Sequence, residues 1–481
     1  MKKIIILIGI VLTYSFFGCS DFLDNEPYSE FAPDNLYESK SGINAGIIGL
    51  YDNLNGWPSL YQWNAWQLRE SLTEYSTPDP ASVDPSRIGQ NDLDNQIWAL
   101  RANWSWFYKI IASSNALLVA SNNIEFNGKE ELLAEVKFMR AYAYFGIVRF
   151  FGPAVLVTEP FDPSLEPSGV SDEADIYSLI AEDLDYAMQY LPLNSVNAGR
   201  ANRWVAKAMA AQFYLTRAGN PINGGVPDYT KARDLAKEVI TSGPYALVNY
   251  DQVFRVNGNQ EVLWAVKNRI TGNENHFGFI CFPRNGSGLS VFGEAVGLPT
   301  ASFINSFPNG DFRRQWGIRT QINVKGTLET SNVPFYAKFL DEDNLSTTAN
   351  VFGFGLDVPI IRLADLYLIA AEAENEVNGP TSDAYLWANT VRARARINPL
   401  DITHVPNFTG LDQVSFREQI FRERRRELFF EGDGWFDLKR LNRFNLISTE
   451  RSQYPLVNPT IGNWPIPDFE TDNNPNIVPG N

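Results

Sequence analysis

Apolar residues recur at three- and four-residue spacing over long stretches of this chain, a period that predicts helices rather than strands. From Leu132 the apolar positions run through Val136, Met139, Ala143, Ile147 and Phe150, and Gly152-Pro153 stops the segment. Trp204, Ala208, Ala211 and Leu215 repeat the period as far as Gly219-Asn220-Pro221. Ser171 is placed to cap a helix opening with Asp172-Glu173, whose acids meet the positive end of the helix dipole. A further helix is expected over 229–240, ended by Gly243-Pro244.

From about 250 to 360 the pattern changes. Gly, Asn and Pro are frequent, short β-like runs such as Val262-Leu263-Trp264-Ala265-Val266 occur, and long helical periodicity is missing. Helices are expected again over 361–377, 383–396 and 412–430, followed by a tail rich in Pro and Asn beyond Leu446. The fold class is therefore mainly α, with helical hairpins supporting an irregular, loop-rich part that holds a few short strands. Ala141 and Phe145 match the Ala-x-x-x-Phe spacing of tetratricopeptide hairpins, but the full repeat signature is absent and a generic helical bundle remains open. The expected division is 41–250 helical, 251–360 a loop-rich insert, and 361–481 a second helical region with its tail. Binding function is expected in the loops, since a packed scaffold tolerates their variation.

The first residues set the compartment. Lys2 and Lys3 precede an apolar run from Ile4 to Leu12, and Gly18-Cys19 follows, which reads as a secretory leader over 1–18. The apolar run is far short of the ~20 residues needed to cross a bilayer. Cys19 after Gly18 resembles a bacterial lipobox, with Phe16 standing where Leu is commonest. Cys19 is expected to carry acyl chains that hold the protein on a membrane, and 19–40 to be its acidic tether. Cys281 is then the one thiol left, and no internal disulfide can form.

Composition narrows the chemistry. Among 481 residues, 40 Lys plus Arg face 56 Asp plus Glu, a net charge of −16, which makes nucleic acid a poor partner. The charged run from Phe416 to Glu427 interleaves its signs, Glu418 with Arg422 and Glu423 with Arg426, and reads as a helix that also docks charge against its neighbours. His276 and His404 stand without a second ligand at motif spacing, and Cys281 beside Ile280 and Phe282 reads as a buried small hydrophobe. No zinc-protease, nucleophile-elbow, Walker or dinucleotide motif is present. Asp341-Glu342-Asp343 does not complete an EF-hand loop, so neither a metal nor a cofactor is expected. Glycoside hydrolysis needs only two carboxylates and stays a minor alternative, with no acidic pair on a recognisable scaffold.

Five blocks in order give the chain a resemblance to a known family. They are Cys19-Ser20-Asp21-Phe22-Leu23-Asp24; Trp104-Ser105-Trp106-Phe107-Tyr108-Lys109-Ile110-Ile111 through Asn115; and Glu135 to Gly152 with Met139-Arg140-Ala141-Tyr142. Arg362 through Ala373 and Glu423 through Leu438 follow, and Pro465-Ile466-Pro467 with Asn473-Asn474-Pro475 closes the chain. In these the sequence resembles the SusD/RagB family of nutrient-binding lipoproteins. The resemblance implies a SusD-like helical fold and a lipid-anchored place on the outer face of the outer membrane. It also implies capture of oligosaccharides, or alternatively peptides, for a SusC-type TonB-dependent transporter, without cleavage. The block from Arg362 to Ala373 is expected to be scaffold or transporter-facing.

Sugars offer an apolar C–H face and a hydroxyl rim, which suit flat aromatic rings with polar partners. Aromatics outside the helical core pattern include Trp57, Trp63 and Trp66 in an early loop, Tyr75 and Trp98 around a Pro- and Asp-rich loop, and Trp316 after Arg313-Arg314. The expected ligand residues are Trp98, Trp316 and Tyr75, with Arg314 and Asn95 as polar partners. Trp104 and Trp106 are expected in the core.

Overall fold

The helix expected from Leu132 runs Lys129–Phe151 in the computed structural model, which describes residues 37–477 apart from 56–59, 62, 79–82, 196, 198, 270–273 and 346–353. The leader, Cys19, the tether up to residue 36 and Trp57 lie outside the described residues, as does the side chain of Trp63. Gly152 ends the Lys129–Phe151 helix at φ 72°, a left-handed turn that side-chain-bearing residues resist.

Successive helices pack as hairpins. Trp98–Ser121 lies against Lys129–Phe151, that helix against Glu173–Tyr190, Arg203–Ala218 against Gly225–Ser242, and Leu363–Asn378 against both Gly225–Ser242 and Ser382–Arg394. The fold is mainly α, as the apolar period predicts. Small residues allow the close crossings. A Cβ on Gly146 would fall 2.2 Å from Cζ of Phe107, so the first hairpin is drawn together around that glycine. Asn202 caps Arg203–Ala218 by accepting from Val205 N at 3.0 Å, and Asp412 caps Gln413–Leu428 by accepting from Ser415 N at 2.7 Å.

Several expected boundaries move. Ser171 is not a cap: its N–H donates to Ala154 O at 2.9 Å in an isolated bridge, and Asp172 is the residue before the Glu173–Tyr190 helix. The helix expected from 361 starts at Leu363, because Ile361 and Arg362 end a strand, Val358–Arg362. That strand pairs antiparallel with Val262–Val266, so the two ends of the loop-rich stretch are hydrogen-bonded together. Between them Ile318–Val324 and Thr327–Tyr336 form a hairpin, the longest strands described, and Ser76–Thr77 pairs with Leu298–Pro299.

The charged Gln413–Leu428 helix is sunk into the protein. Arg313 Nη1 meets Glu423 Oε1 at 2.7 Å and Glu427 Oε2 at 3.0 Å, and its Nη2 meets Asp311 Oδ2 at 2.7 Å. Arg362 joins Glu427, Glu431 and Glu261 at 2.6, 2.6 and 3.0 Å. Burial alone would raise the Glu423 carboxyl, but Arg313, Arg392 and Arg426 outweigh it and hold it at about 2. The network ties the Phe312–Gly317 segment to the C-terminal helices, and Arg362 belongs to this scaffold at 2% exposure.

Candidate functional site

One helix face builds the most suitable recess. Along Trp98–Ser121, Leu100, Trp104, Phe107 and Ile111 point into the core, while Trp98, Arg101, Ser105 and Lys109 follow each other at three- and four-residue steps on another face, with Ala102 beside them. Those five, with Trp106 and Phe469, line a recess of about 460 Å³. Trp98 is 51% exposed and Trp106 partly so.

The rest of the wall comes from the tail. Asp468 N donates to Asn95 O at 3.1 Å, Arg101 Nε meets Asp468 Oδ1 at 3.4 Å, and Trp104 Nε1 donates to Glu470 Oε2 at 3.2 Å. These three links pin the Asp468–Asn473 helix and set the Phe469 ring 5.6 Å from the Arg101 guanidinium, a cation–π contact. Ahead of Trp98 the loop is braced by Arg87, which reaches Asp92 at 3.2 Å and Asp94 at 2.8 Å; the Arg87 bond holds the Asp94 carboxyl below its usual value. Lys109 Nζ stands 4.4 Å over the Trp106 ring.

The five expected ligand residues do not come together. Trp98 is on the recess, and Asn95 sits beside it, its carbonyl holding the tail. Tyr75 is fully buried, donating its hydroxyl to Glu70 Oε2 at 2.9 Å and packing on Phe303 at 5.1 Å. Trp316 is 7% exposed, stacked on Phe254 at 5.8 Å and edge-on to Tyr250. The short Phe312–Gly317 helix explains its place: Arg313 and Trp316, three apart, share the inward face, and Arg314 is exposed. Trp66 is buried against Phe277, and Trp104 is core as expected.

Trp106, Arg101, Lys109 and Phe469 were not expected at a site. Arg101 and Lys109 are readable from the stripe 98-101-105-109 opposite the apolar one; Trp106 lies beside that stripe rather than on it, and Phe469 leaves no trace in the sequence because tertiary contacts alone bring it there.

Other recesses suit a sugar less well. A groove of about 370 Å³ is lined by Tyr51, Asp52, Asn55, Arg200 and Lys267 among others, but Tyr51 hydroxyl accepts from Ala201 N at 2.9 Å and Arg200 is paired with Glu135. Two small cavities of about 20 Å³ around Arg149, Gln212 and Asp433 have room for about one water each and none for a sugar. Burial pushes the Asp433 carboxyl up to about 6, against the pull of Arg149. Cys281 is buried, which raises its thiol well above the usual value. His404 Nδ1 lies 2.8 Å from Asp401 Oδ2 in a surface turn. Among the described residues, no group of three or more His, Cys, Asp or Glu is placed to hold a metal, and no helix is long and apolar enough to cross a membrane.

Comparison with known proteins places this architecture. The profile of the SusD family matches residues 309–481, and a second, described as "Starch-binding associating with outer membrane", matches 21–215. The chain belongs to the SusD/RagB family. Among SusD-like relatives, SusD-like protein P25 of Formosa agariphila is 29% identical, over 92% of this chain and 90% of that protein. Starch-binding protein SusD of Bacteroides thetaiotaomicron is 25% identical over 72% of this chain and 71% of its own. In fold the chain is similar to a SusD superfamily protein from Parabacteroides distasonis, with a TM-score of 0.79, 23% identity, and coverage of 93% of this chain and 99% of the other. A laminarin-binding SusD-like protein gives a TM-score of 0.72 at 22% identity, covering 92% and 99%.

Proposed function

We propose that this protein is a cell-surface lipoprotein of the outer membrane that captures oligosaccharides and passes them to a SusC-type TonB-dependent transporter, anchored through acylated Cys19. The observation that carries the capture role is the solvent-open Trp98–Trp106 recess, in which the Trp98 ring keeps about half its surface exposed. Its SusD-family membership and the starch-binding and laminarin-binding names of relatives support a glycan as cargo.

Binding without cleavage fits the chemistry of the recess. Glycoside hydrolysis places two carboxyl groups about the scissile bond, and no Asp or Glu is among the described residues lining this one. A ring that removes about 50 Å² of apolar surface from water contributes roughly 1 kcal/mol. With hydrogen bonds, two or three rings reach about −4 to −8 kcal/mol, or millimolar to micromolar dissociation. Loose binding suits a protein that must release its cargo.

Calorimetric titration of the purified protein with laminarin- and starch-derived oligosaccharides, and with short peptides, tests this reading. Saturable sugar binding that weakens in Trp98→Ala is expected. Peptide binding with no response to sugars would move the assignment to peptide capture, and release of reducing sugar, abolished by one carboxylate-to-amide change, would move it to hydrolysis. For the anchor, Cys19→Ser is expected to shift the protein from membrane to soluble fractions; retention on the membrane without a transporter would count against acylation.

A further inference from the structure

The recess differs in sign from the protein around it. The chain carries a net charge of −16, yet both ionisable side chains lining this recess are cations, Arg101 and Lys109. Arg101 is matched by Asp468 at 3.4 Å. Lys109 is exposed and, among the described residues, has no carboxylate within salt-bridge distance; its contact is the Trp106 ring. The recess thus holds one unmatched positive charge beside exposed aromatic surface.

We infer that the Trp98 recess selects an anionic oligosaccharide, one in which a uronate or sulfate group on one ring meets the Lys109 ammonium while another ring covers Trp98, the two positions being about 16 Å apart along the helix. This rests on the saccharide-binding reading above and narrows its cargo. A carboxylate or sulfate accepting from an ammonium makes a charge-assisted hydrogen bond, here a partly exposed one beside the Trp106 ring. Arg101, held by Asp468 and the Phe469 ring, is a fixed second donor at the same wall. The surrounding negative charge repels polyanions elsewhere, so an acidic glycan gains a foothold here and loses contact over the rest of the surface.

The test uses oligomers derived from polygalacturonate, alginate and sulfated dextran against neutral dextran and laminarin oligomers of matched length, titrated into the purified protein. At low salt the acidic oligomers are expected to bind about threefold to tenfold more tightly than the neutral ones, the range of a partly exposed charge pair. The difference should shrink as sodium chloride is raised to about 0.5 M, where screening acts within a few ångströms. Lys109→Gln should bring the two classes to near parity, and Lys109→Arg should keep the preference. Equal binding of both classes, or a preference that survives high salt and Lys109→Gln, would overturn the inference and leave saccharide capture standing. Silence toward every oligomer, or binding untouched by Trp98→Ala, would remove saccharide capture at this recess and the inference with it.

Discussion

Arg313 and Glu423 meet at 2.7 Å with neither side chain reaching solvent. Glu423 also takes Arg392, and Arg313 also takes Asp311 and Glu427, so the pair is part of a buried network of charges. Removing Glu423 leaves the buried Arg392 without its carboxylate and takes one of three from Arg313. Glu423→Gln is expected to cost about 3–5 kcal/mol of folding stability, measured by urea unfolding, because loss of one member exposes the desolvation cost of the rest. The double change Arg313→Met with Glu423→Leu should cost less than the sum of the single changes.

The same pair sets an acid limit. The folded carboxyl of Glu423 lies at about 2, below its ordinary 4.5. A depressed acid contributes stability that is fully present above the ordinary value and is lost as pH falls from there through the folded one. Melting temperature should therefore drop as pH is lowered from 4.5 toward 2, and the drop should be shallower in Glu423→Gln.

Helix placement is legible because the apolar period survives along Lys129–Phe151 and Arg203–Ala218, where the stops Gly152-Pro153 and Gly219-Asn220-Pro221 agree with it. The long hairpin of Ile318–Val324 and Thr327–Tyr336 was not, since its burial alternates too irregularly to stand out within a Gly- and Asn-rich stretch. At the site, an aromatic outside a long helical pattern is expected to be exposed. That holds for Trp98 and not for Trp316, because one turn of helix around Arg313 turns the indole inward. Pairing of Arg313 with residues more than a hundred positions away leaves no local trace, and neither does the contact of Phe469 with Arg101.

Glu70 predicts the opposite pH behaviour. Burial lifts its carboxyl from 4.5 to about 8, although Tyr75 hydroxyl and Gly432 N–H donate to it and pull the other way. A raised acid contributes stability that is whole below 4.5 and lost as pH rises through 8. Glu70→Gln keeps the shape and stays neutral, its amide oxygen accepting from Gly432 and its NH₂ donating to Tyr75. Its melting temperature should lie within about 2 °C of the parent at pH 4 and rise above the parent's progressively from there to pH 9. A parent and variant that run parallel across that range would show Glu70 to be ionised in the folded protein.

Gly146 tests the helix crossing. An added methyl would meet Phe107 Cζ at 2.2 Å and Cε1 at 2.3 Å, with buried side chains all around. Gly146→Ala is expected to destabilise by about 1–3 kcal/mol despite the better helix propensity of alanine. Phe107→Leu should recover part of that loss in the double variant, which separates overpacking from a backbone effect.

Trp98 and Trp316 should separate cleanly when each is changed to alanine. Trp98 keeps about half its surface in water, so its removal leaves little cavity, and the melting temperature should stay within about 2 °C. Loss of its platform should weaken oligosaccharide binding about fivefold to tenfold, the equivalent of 1.0–1.4 kcal/mol. Trp316 packs between Phe254 and Tyr250, with Arg255 and Arg319 over its ring. Its truncation opens a core cavity and should cost about 3–5 kcal/mol in urea unfolding. If instead Trp316→Ala weakened binding at unchanged stability, the loop-rich stretch would hold the ligand and the Trp98 recess would be a secondary contact. Titration and unfolding on the same two preparations decide between these arrangements, because burial predicts opposite rankings in the two measurements.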